Sequence, residues 1–161
     1  MTIRLPHDRV NQIRQLSYRY KRQHTDNMLM NKTAYLLGLS GLIPFVGLTV
    51  LMHQSWAVTY FLSYSAVILS FLGGIHWGVA LQDDKWSNSW RLCLCMLPSL
   101  LGWVALLLPV ALAFALLFVA YALWWGYDYS QVKNGDYRQL RRCLSIVVLV
   151  CHGSWMFFVI F

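Results

Sequence analysis

The sequence contains no glutamate, and its six acidic and thirteen basic residues leave long stretches without any charge. Residues 33–82, 92–127 and 143–161 contain no Asp, Glu, Lys or Arg. A transmembrane helix needs roughly 20 apolar residues to cross a hydrocarbon core of about 30 Å. The first stretch is therefore long enough for two crossings, the second for two short ones and the third for one. Such gaps exclude an ordinary water-soluble domain.

The apolar stretches also lack the period-2 alternation that is typical of a transmembrane β-barrel. Because lipid offers no partners to the backbone, the alternative way to span it is the α-helix. The sequence therefore predicts an all-α, polytopic membrane protein with five transmembrane helices. The predicted spans are about 33–52, 57–81, 92–108, 109–127 and 143–161, and together they form one domain, 33–161.

The positions of the basic residues predict the orientation, because cytoplasmic loops carry an excess of Lys and Arg. The charges concentrate in residues 1–32, 82–91 and 128–142, and five crossings place all three segments on one side of the bilayer. We therefore expect a cytoplasmic N-terminus and an external C-terminus. The net charge of +7 reflects this topology, and nucleic acid is not an expected partner.

Residues 1–32 form a basic cytoplasmic segment in this topology. Val10, Ile13, Leu16 and Tyr20 recur in it at helical spacing, among several basic residues. This pattern fits an interfacial amphipathic helix that is drawn to anionic lipid of the inner leaflet. The alternative is a partly disordered tail that only follows the charge rule for cytoplasmic segments.

The four cysteines and the missing motifs argue against metal, cofactor and enzymatic chemistry. Cys93 and Cys143 fall at cytoplasmic span ends, where disulfides are rare, and we expect all four cysteines to be buried structural thiols. Cys93 and Cys95 point to opposite faces of a helix, which is the wrong geometry for a shared metal. There is no HExxH spacing, phosphate-binding loop or Ser, His and acid arrangement. We predict a protein that is not an enzyme and has neither cofactor nor metal.

The second predicted span carries small residues on two faces. Small side chains recur there every four residues, at Ala66, Ser70, Gly74 and Gly78. Such a stripe permits close helix packing in lipid. His76 follows Gly74 by two residues, which rotates the helix by about 200° and places His76 on the opposite face. Gly73 also lies on that opposite face. We therefore expect one face to pack within the protomer and the other to meet a partner or a cavity. A cyclic homo-oligomer suits this helix, and we favour a trimer over a dimer.

His76 is the main candidate site residue, because ionisable groups within a membrane are costly and usually functional. Asp83 and Asp84, in particular those of a neighbouring chain, are the carboxylates expected near it. Three interpretations of His76 remain open: a neutral histidine bonded to a neighbouring helix, a proton or ion site, and a ligand of haem, metal or quinone. A pair with His152 is weakly indicated, because their predicted depths differ.

Three segments of the chain resemble a known family: LGLSGLIPF (37–45), YSAVILSFLGGIHWGVAL (64–81) and LPSLLGW (97–103). They are similar to a family of small polytopic proteins of bacterial inner membranes and mitochondria, of unknown function, that includes the transmembrane protein 69-like group. The resemblance covers about residues 33–161. Its most specific positions are Ser70, Phe71, Gly73, Gly74, His76, Trp77 and Gly78. It implies a membrane fold and no particular activity, and we expect a multi-pass protein of the bacterial inner membrane.

Three functions fit these patterns. The first is a non-enzymatic, oligomeric inner-membrane protein that supports envelope homeostasis or the membrane potential, with proton or ion linkage through His76. The second is an accessory or assembly subunit of a larger membrane complex, such as a respiratory one. The third is a redox protein that binds haem, metal or quinone.

Overall fold

A computed structural model describes residues 32, 33, 35–82, 89–131 and 135–161. The elements of this part are α-helices: α1 (Ile43–Val50), α2 (Ala57–Gln82), α3 (Ser89–Leu107), α4 (Val110–Gln131) and α5 (Gly135–Ile160). The chain divides into two compact units, Met1–Gly38 and Leu39–Phe161. In the first unit residues 35–38 are helical, and the predicted amphipathic helix falls outside the described residues. The second unit contains α1 to α5.

The all-helical prediction is confirmed for the described residues. Among them, three helices are long and apolar enough to cross a membrane: Ala57–Gly78, Val110–Tyr129 and Arg138–Ile160. Two further apolar segments, Tyr35–Val50 and Leu92–Leu107, are shorter. The number of crossings and the orientation of the termini remain predictions.

Prolines lie at two helix breaks in the described residues. A turn at residues 41–42 precedes α1, and Pro44 lies in the first turn of that helix, where its missing N–H costs nothing. Residues 108 and 109 separate α3 from α4, as the predicted division of the 92–127 stretch requires.

Helices α4 and α5 both extend into the segment that the sequence assigns to the third charged loop. The sequence indicates a loop over residues 128–142, whereas α4 continues to Gln131 and α5 begins at Gly135. Charged residues were assigned to water because an isolated charge is expensive in an apolar environment. Two of them, Asp128 and Arg141, instead lie within helices and neutralise each other.

Aromatic rings fill the centre of the second unit. Phe114 and Trp155 stack with a centroid distance of 5.4 Å and an interplanar angle of 13°. Phe61 meets Phe45 edge-on at 5.5 Å, and these four rings are almost fully buried. They come from α1, α2, α4 and α5, so the aromatic cluster fixes how four helices meet. Such pairs contribute roughly 0.5–1.5 kcal/mol each beyond the burial of their area.

Candidate functional site

A buried network of three ionisable side chains joins α2, α4 and α5. The Nε2–H of His76 donates a short hydrogen bond to Oδ1 of Asp128. The guanidinium of Arg141 donates to the other carboxylate oxygen, Oδ2, at 2.5 Å. The side chains of His76, Asp128 and Arg141 are only 8%, 5% and 11% exposed. Asp128 is therefore the centre of the network and bridges two groups from different helices.

The network changes its net charge when His76 binds a proton. Asp128 and Arg141 cancel, so the three groups are neutral together when the imidazole is neutral. Because Nε2–H faces a carboxylate, which only accepts, the free lone pair of the neutral ring lies on Nδ1. A proton that adds there gives the buried network a charge of +1. Charge placed in such a weakly polar setting is costly, and the single carboxylate of Asp128 would then be shared between two cations, His76 and Arg141.

Aromatic rings enclose the histidine. Trp124 and Tyr127 meet the His76 ring edge-on, with centroid distances of 5.4 and 5.2 Å. Both lie in α4, close to Asp128 in sequence. These rings pack against the imidazole and help to exclude water from it, which agrees with the burial of His76.

The sequence named Asp83 and Asp84 as the carboxylates expected near His76, whereas in the described residues His76 pairs with Asp128. Asp83 and Asp84 lie outside the described residues. Asp128 was missed because residues 128–142 were assigned to a loop. Its position was nevertheless informative: it is the first charge after the fourth predicted span, at the same end of the bundle as His76 in the predicted topology.

A second buried polar cluster surrounds His152. Its Nδ1–H donates to the carbonyl of Val148 at 2.8 Å, which assigns the proton to Nδ1 because a carbonyl only accepts. Nε2 must then accept the hydroxyl of Ser65, also at 2.8 Å. The Tyr121 hydroxyl donates to the Ser65 carbonyl at 2.8 Å. The neutral, hydrogen-bonded histidine that the sequence offered as one interpretation of His76 is therefore found at His152.

The Ser65–His152 pair has the distances of a nucleophile and its base, but its surroundings differ from those of a catalytic site. Both residues are fully buried, at 0% exposure. The rings of Phe45, Phe61 and Tyr121 lie 5.0–5.9 Å from that of His152. A nucleophile must reach its substrate to act, and this packing leaves no room for one at the hydroxyl. The pair therefore serves as a polar tie between α2 and α5.

The two clusters use the same three helices. The network of His76, Asp128 and Arg141 and the cluster of Ser65, Tyr121 and His152 each take one residue from α2, one from α4 and one from α5. The separations along these helices are eleven, seven and eleven residues. These are close to three, two and three helical turns, so each helix presents both of its residues on one face. Their order also requires α2 and α4 to be parallel and α5 to be antiparallel to them.

We expect Ser65→Ala to destabilise the purified protein by about 1–3 kcal/mol, because Nε2 of His152 would remain buried without a donor. The matched control is Ser154→Ala. The Ser154 hydroxyl donates to the carbonyl of Val150 in its own helix, so its loss should change stability little. Thermal unfolding in detergent compares the two variants, and equal midpoints would contradict the role of Ser65.

The candidate packing residues of α2 divide into two groups. A Cβ at Gly73 would lie 2.4 Å from the carbonyl oxygen of Cys95, and Gly102 makes the corresponding close approach to Ala66. Ser70 donates to the Ala66 carbonyl within α2. At Gly74 and Gly78 an added Cβ meets no described atom within 4 Å. Ala66 and Gly73 thus pack on α3, while Gly74 and Gly78 face outward.

The described residues contain no group of three His, Cys, Asp or Glu side chains that could hold a metal ion. His76 and His152 belong to separate clusters, and each bonds residues other than the second histidine. Cys95 and Cys151 are buried, as predicted, whereas Cys93 and Cys143 are exposed. The prediction of burial was wrong for these two, and the opposite orientations of Cys93 and Cys95 agree with the helical rotation between them.

Comparison with known proteins identifies the family. The model of a family described as "Protein of unknown function (DUF3429)" matches residues 30–157. The chain belongs to the DUF3429 family. Transmembrane protein 69 of Xenopus tropicalis is 34% identical to this DUF3429 chain over 134 residues, which are 73% of the chain and 51% of that protein. The chain thus spans about half the length of this relative. No solved structure matches it.

Proposed function

We propose that this DUF3429 protein is a non-enzymatic, multi-pass protein of the bacterial inner membrane that supports membrane electrochemical homeostasis through proton binding at His76. The observation that carries the proposal is the buried bridge in which Asp128 joins His76 to Arg141. A purely structural ion pair needs only the aspartate and the arginine. The attached histidine adds an imidazole, the type of side chain that most often serves proteins as a proton-binding switch.

Variants of His76 test this function. We expect His76→Gln to preserve folding, because an amide can donate one hydrogen bond to Asp128 and because Arg141 still balances that carboxylate. It cannot bind a proton, so the membrane potential of cells, or its response to external pH, should change. We expect the same of His76→Ala. The measurement is a potential-sensitive dye in cells at several pH values.

His53→Ala is the matched control, since His53 is exposed and packs against Phe158. It should leave the potential unchanged. If His76→Gln cells keep a normal potential and pH response, His76 is a packing histidine, and a scaffold role replaces the electrochemical one.

The proposed topology has five crossings, with residues 1–32 cytoplasmic and residues 33–161 forming the membrane domain. The parallel α2 and α4 and the antiparallel α5 support it, since α3 must then return between α2 and α4. The apolar part of α3, Leu92–Leu107, is about 24 Å long and so a few ångströms short of the core. Thinning of the bilayer and snorkelling of flanking side chains can absorb that mismatch.

We expect reporters fused within residues 1–32, 82–91 and 128–142 to report the cytoplasm and one at residue 161 to report the outside. The physical reason is that the basic residues, which resist translocation, concentrate in the first three segments. Alkaline phosphatase and green fluorescent protein fusions measure the two compartments. A cytoplasmic C-terminus would contradict five crossings.

A second function, an accessory subunit of a larger membrane complex, is favoured by one observation. Gly74 and Gly78 face outward, and an added Cβ there meets no described atom, so a helix of another protein has room to approach closely. We propose first that a second copy of this chain packs on the same face, so that the protein forms a homo-oligomer. Purification in mild detergent distinguishes them, because other subunits co-purify only in the second case.

A further inference from the structure

An apolar cleft of about 210 Å³ lies where α2, α3 and α4 meet. Its lining is Leu69 from α2, then Leu94, Leu97, Pro98 and Leu101 from α3, and Ala120, Leu123, Trp124 and Tyr127 from α4. The residues of α3 and of α4 follow the same spacing, i, i+3, i+4 and i+7, which places each set on one helix face. Two apolar stripes thus face each other and leave a gap between them.

Proline and glycine explain why this gap exists. Pro98 has no N–H, so the helical hydrogen bond to the Leu94 carbonyl cannot form and α3 is loosened at the cleft. On the other side, the Pro98 ring lies against Gly73, and its Cγ is 3.2 Å from the point where a Cβ added to Gly73 would lie. Because Gly73 has no side chain, α3 can pack directly against the backbone of α2. The apolar stripe of α3 is therefore held against α2 and does not close against α4.

The mouth of the cleft lies at the outer surface of the helices. Leu97 and Leu123 are 44% and 69% exposed, while Ala120 on the floor is buried. Since α2 and α4 are long and apolar enough to span a membrane, this surface faces hydrocarbon. An apolar cavity does not hold water stably, and one of about 150 Å³ already accommodates benzene. A neighbouring helix, about 10 Å wide with its side chains, is too thick to enter.

We propose that the cleft is a binding site for one acyl chain of a membrane phospholipid. A flexible hydrocarbon chain matches the volume, the apolar lining and the lateral opening. Trp124 and Tyr127 form part of the cleft wall and also contact the His76 ring. A bound chain therefore covers these rings and keeps water from the network on which the proposed function rests, while the chain site itself does not depend on proton binding by His76.

Photolabelling tests the site directly. The full-length protein is reconstituted in phosphatidylethanolamine and phosphatidylglycerol vesicles that contain a phospholipid with a diazirine in its acyl chain, and the adducts are mapped by peptide mass spectrometry. We expect adducts concentrated in residues 94–101 and 120–127, and saturable by unlabelled phospholipid. Leu107 and Leu112, which are 66% and 57% exposed, report labelling by ordinary surrounding lipid. Adducts that follow exposure alone would overturn the proposal.

Two variants block the cleft in different ways. Ala120→Leu fills its floor and should reduce cleft adducts roughly tenfold, since contacts with about two methylene groups are lost. Leu123→Trp covers its mouth at an exposed position, so the test survives if Ala120→Leu fails to fold. Ala111→Leu is the same substitution at an exposed position of α4 and should change nothing. Unchanged cleft labelling in the folded blocking variants would refute the site.

Lipid binding in the cleft and proton binding at His76 can be tested separately. In His76→Gln the cleft should label as in the parent protein, whatever happens to the membrane potential. If an unlabelled polyisoprenoid alcohol displaces the label and phospholipid does not, the occupant is an isoprenoid and the acyl-chain assignment is wrong.

Discussion

Replacing Asp128 with asparagine will lower the stability of the protein by about 3–5 kcal/mol, as expected when one partner of a buried ion pair is removed. Arg141 would keep its charge, because a guanidinium is not deprotonated in proteins. The carboxylate that it faces would become a neutral amide. His76 would also lose its carboxylate. Thermal unfolding of the purified protein in detergent, together with its yield in the membrane, measures the loss.

A double variant shows whether the unpaired charge is the cause. Asp128→Asn combined with Arg141→Met removes both charges, and replacement of a whole buried pair by neutral groups is often tolerated. We expect it to recover most of the lost stability. Arg142→Met removes an exposed basic residue next to Arg141 and should have little effect. If Asp128→Asn alone is as stable as the parent protein, the network is not the tie between α2, α4 and α5 that its geometry indicates.

The helices could be predicted from the sequence because the cost of charge in lipid determines where they lie. Uncharged stretches of nineteen to fifty residues leave few ways to divide the chain, and the break before Pro109 follows from length alone. Within residues 128–142 the same argument did not find the pairing of Asp128 with Arg141. A carboxylate and a guanidinium that neutralise each other can enter a bundle, and a single sequence does not show which charges pair across helices.

The partners of the two histidines could not be predicted from the sequence. Both were identified as residues within predicted spans, but their partners come from helices far away in sequence: Ser65 and His152 are 87 residues apart, and His76 and Asp128 are 52 apart. Helical periodicity describes which residues share a face of one helix. It does not give the rotation of that helix against its neighbours, which decides which histidine meets a serine and which a carboxylate.

The small residues of α2 show how a spacing can mislead. Steps of four residues advance a helix by about 40° beyond a full turn, so Ala66 and Gly78 lie about 120° apart. Steps of seven fall only about 20° short of two turns. Ala66 and Gly73, seven residues apart, therefore share the face that packs on α3, where their partners Gly102 and Cys95 are also seven apart. Gly74 and Gly78 lie on another face.

Substitutions at neighbouring glycines will therefore have opposite effects. Gly73→Ala should cost about 1–3 kcal/mol through overpacking, because its Cβ would lie 2.4 Å from the backbone oxygen of Cys95, which no side-chain rotation can relieve. Gly74→Ala should leave stability unchanged or raise it by up to about 1 kcal/mol, since alanine is the better helix former and an added Cβ meets no described atom within 4 Å. Thermal unfolding in detergent distinguishes the two variants.

The outward glycines also test the proposed trimer. In the double variant Gly74→Leu and Gly78→Leu, the bulky side chains should keep neighbouring helices apart, so that the protein remains folded but loses its oligomeric form. Size-exclusion chromatography with light scattering, or native mass spectrometry, measures the change. A fold that collapses with this double variant would show that the glycines pack within the protomer. An oligomer of unchanged size and stability would show that another face of the bundle forms the contact, because two leucines cannot fit where two helices cross at glycine.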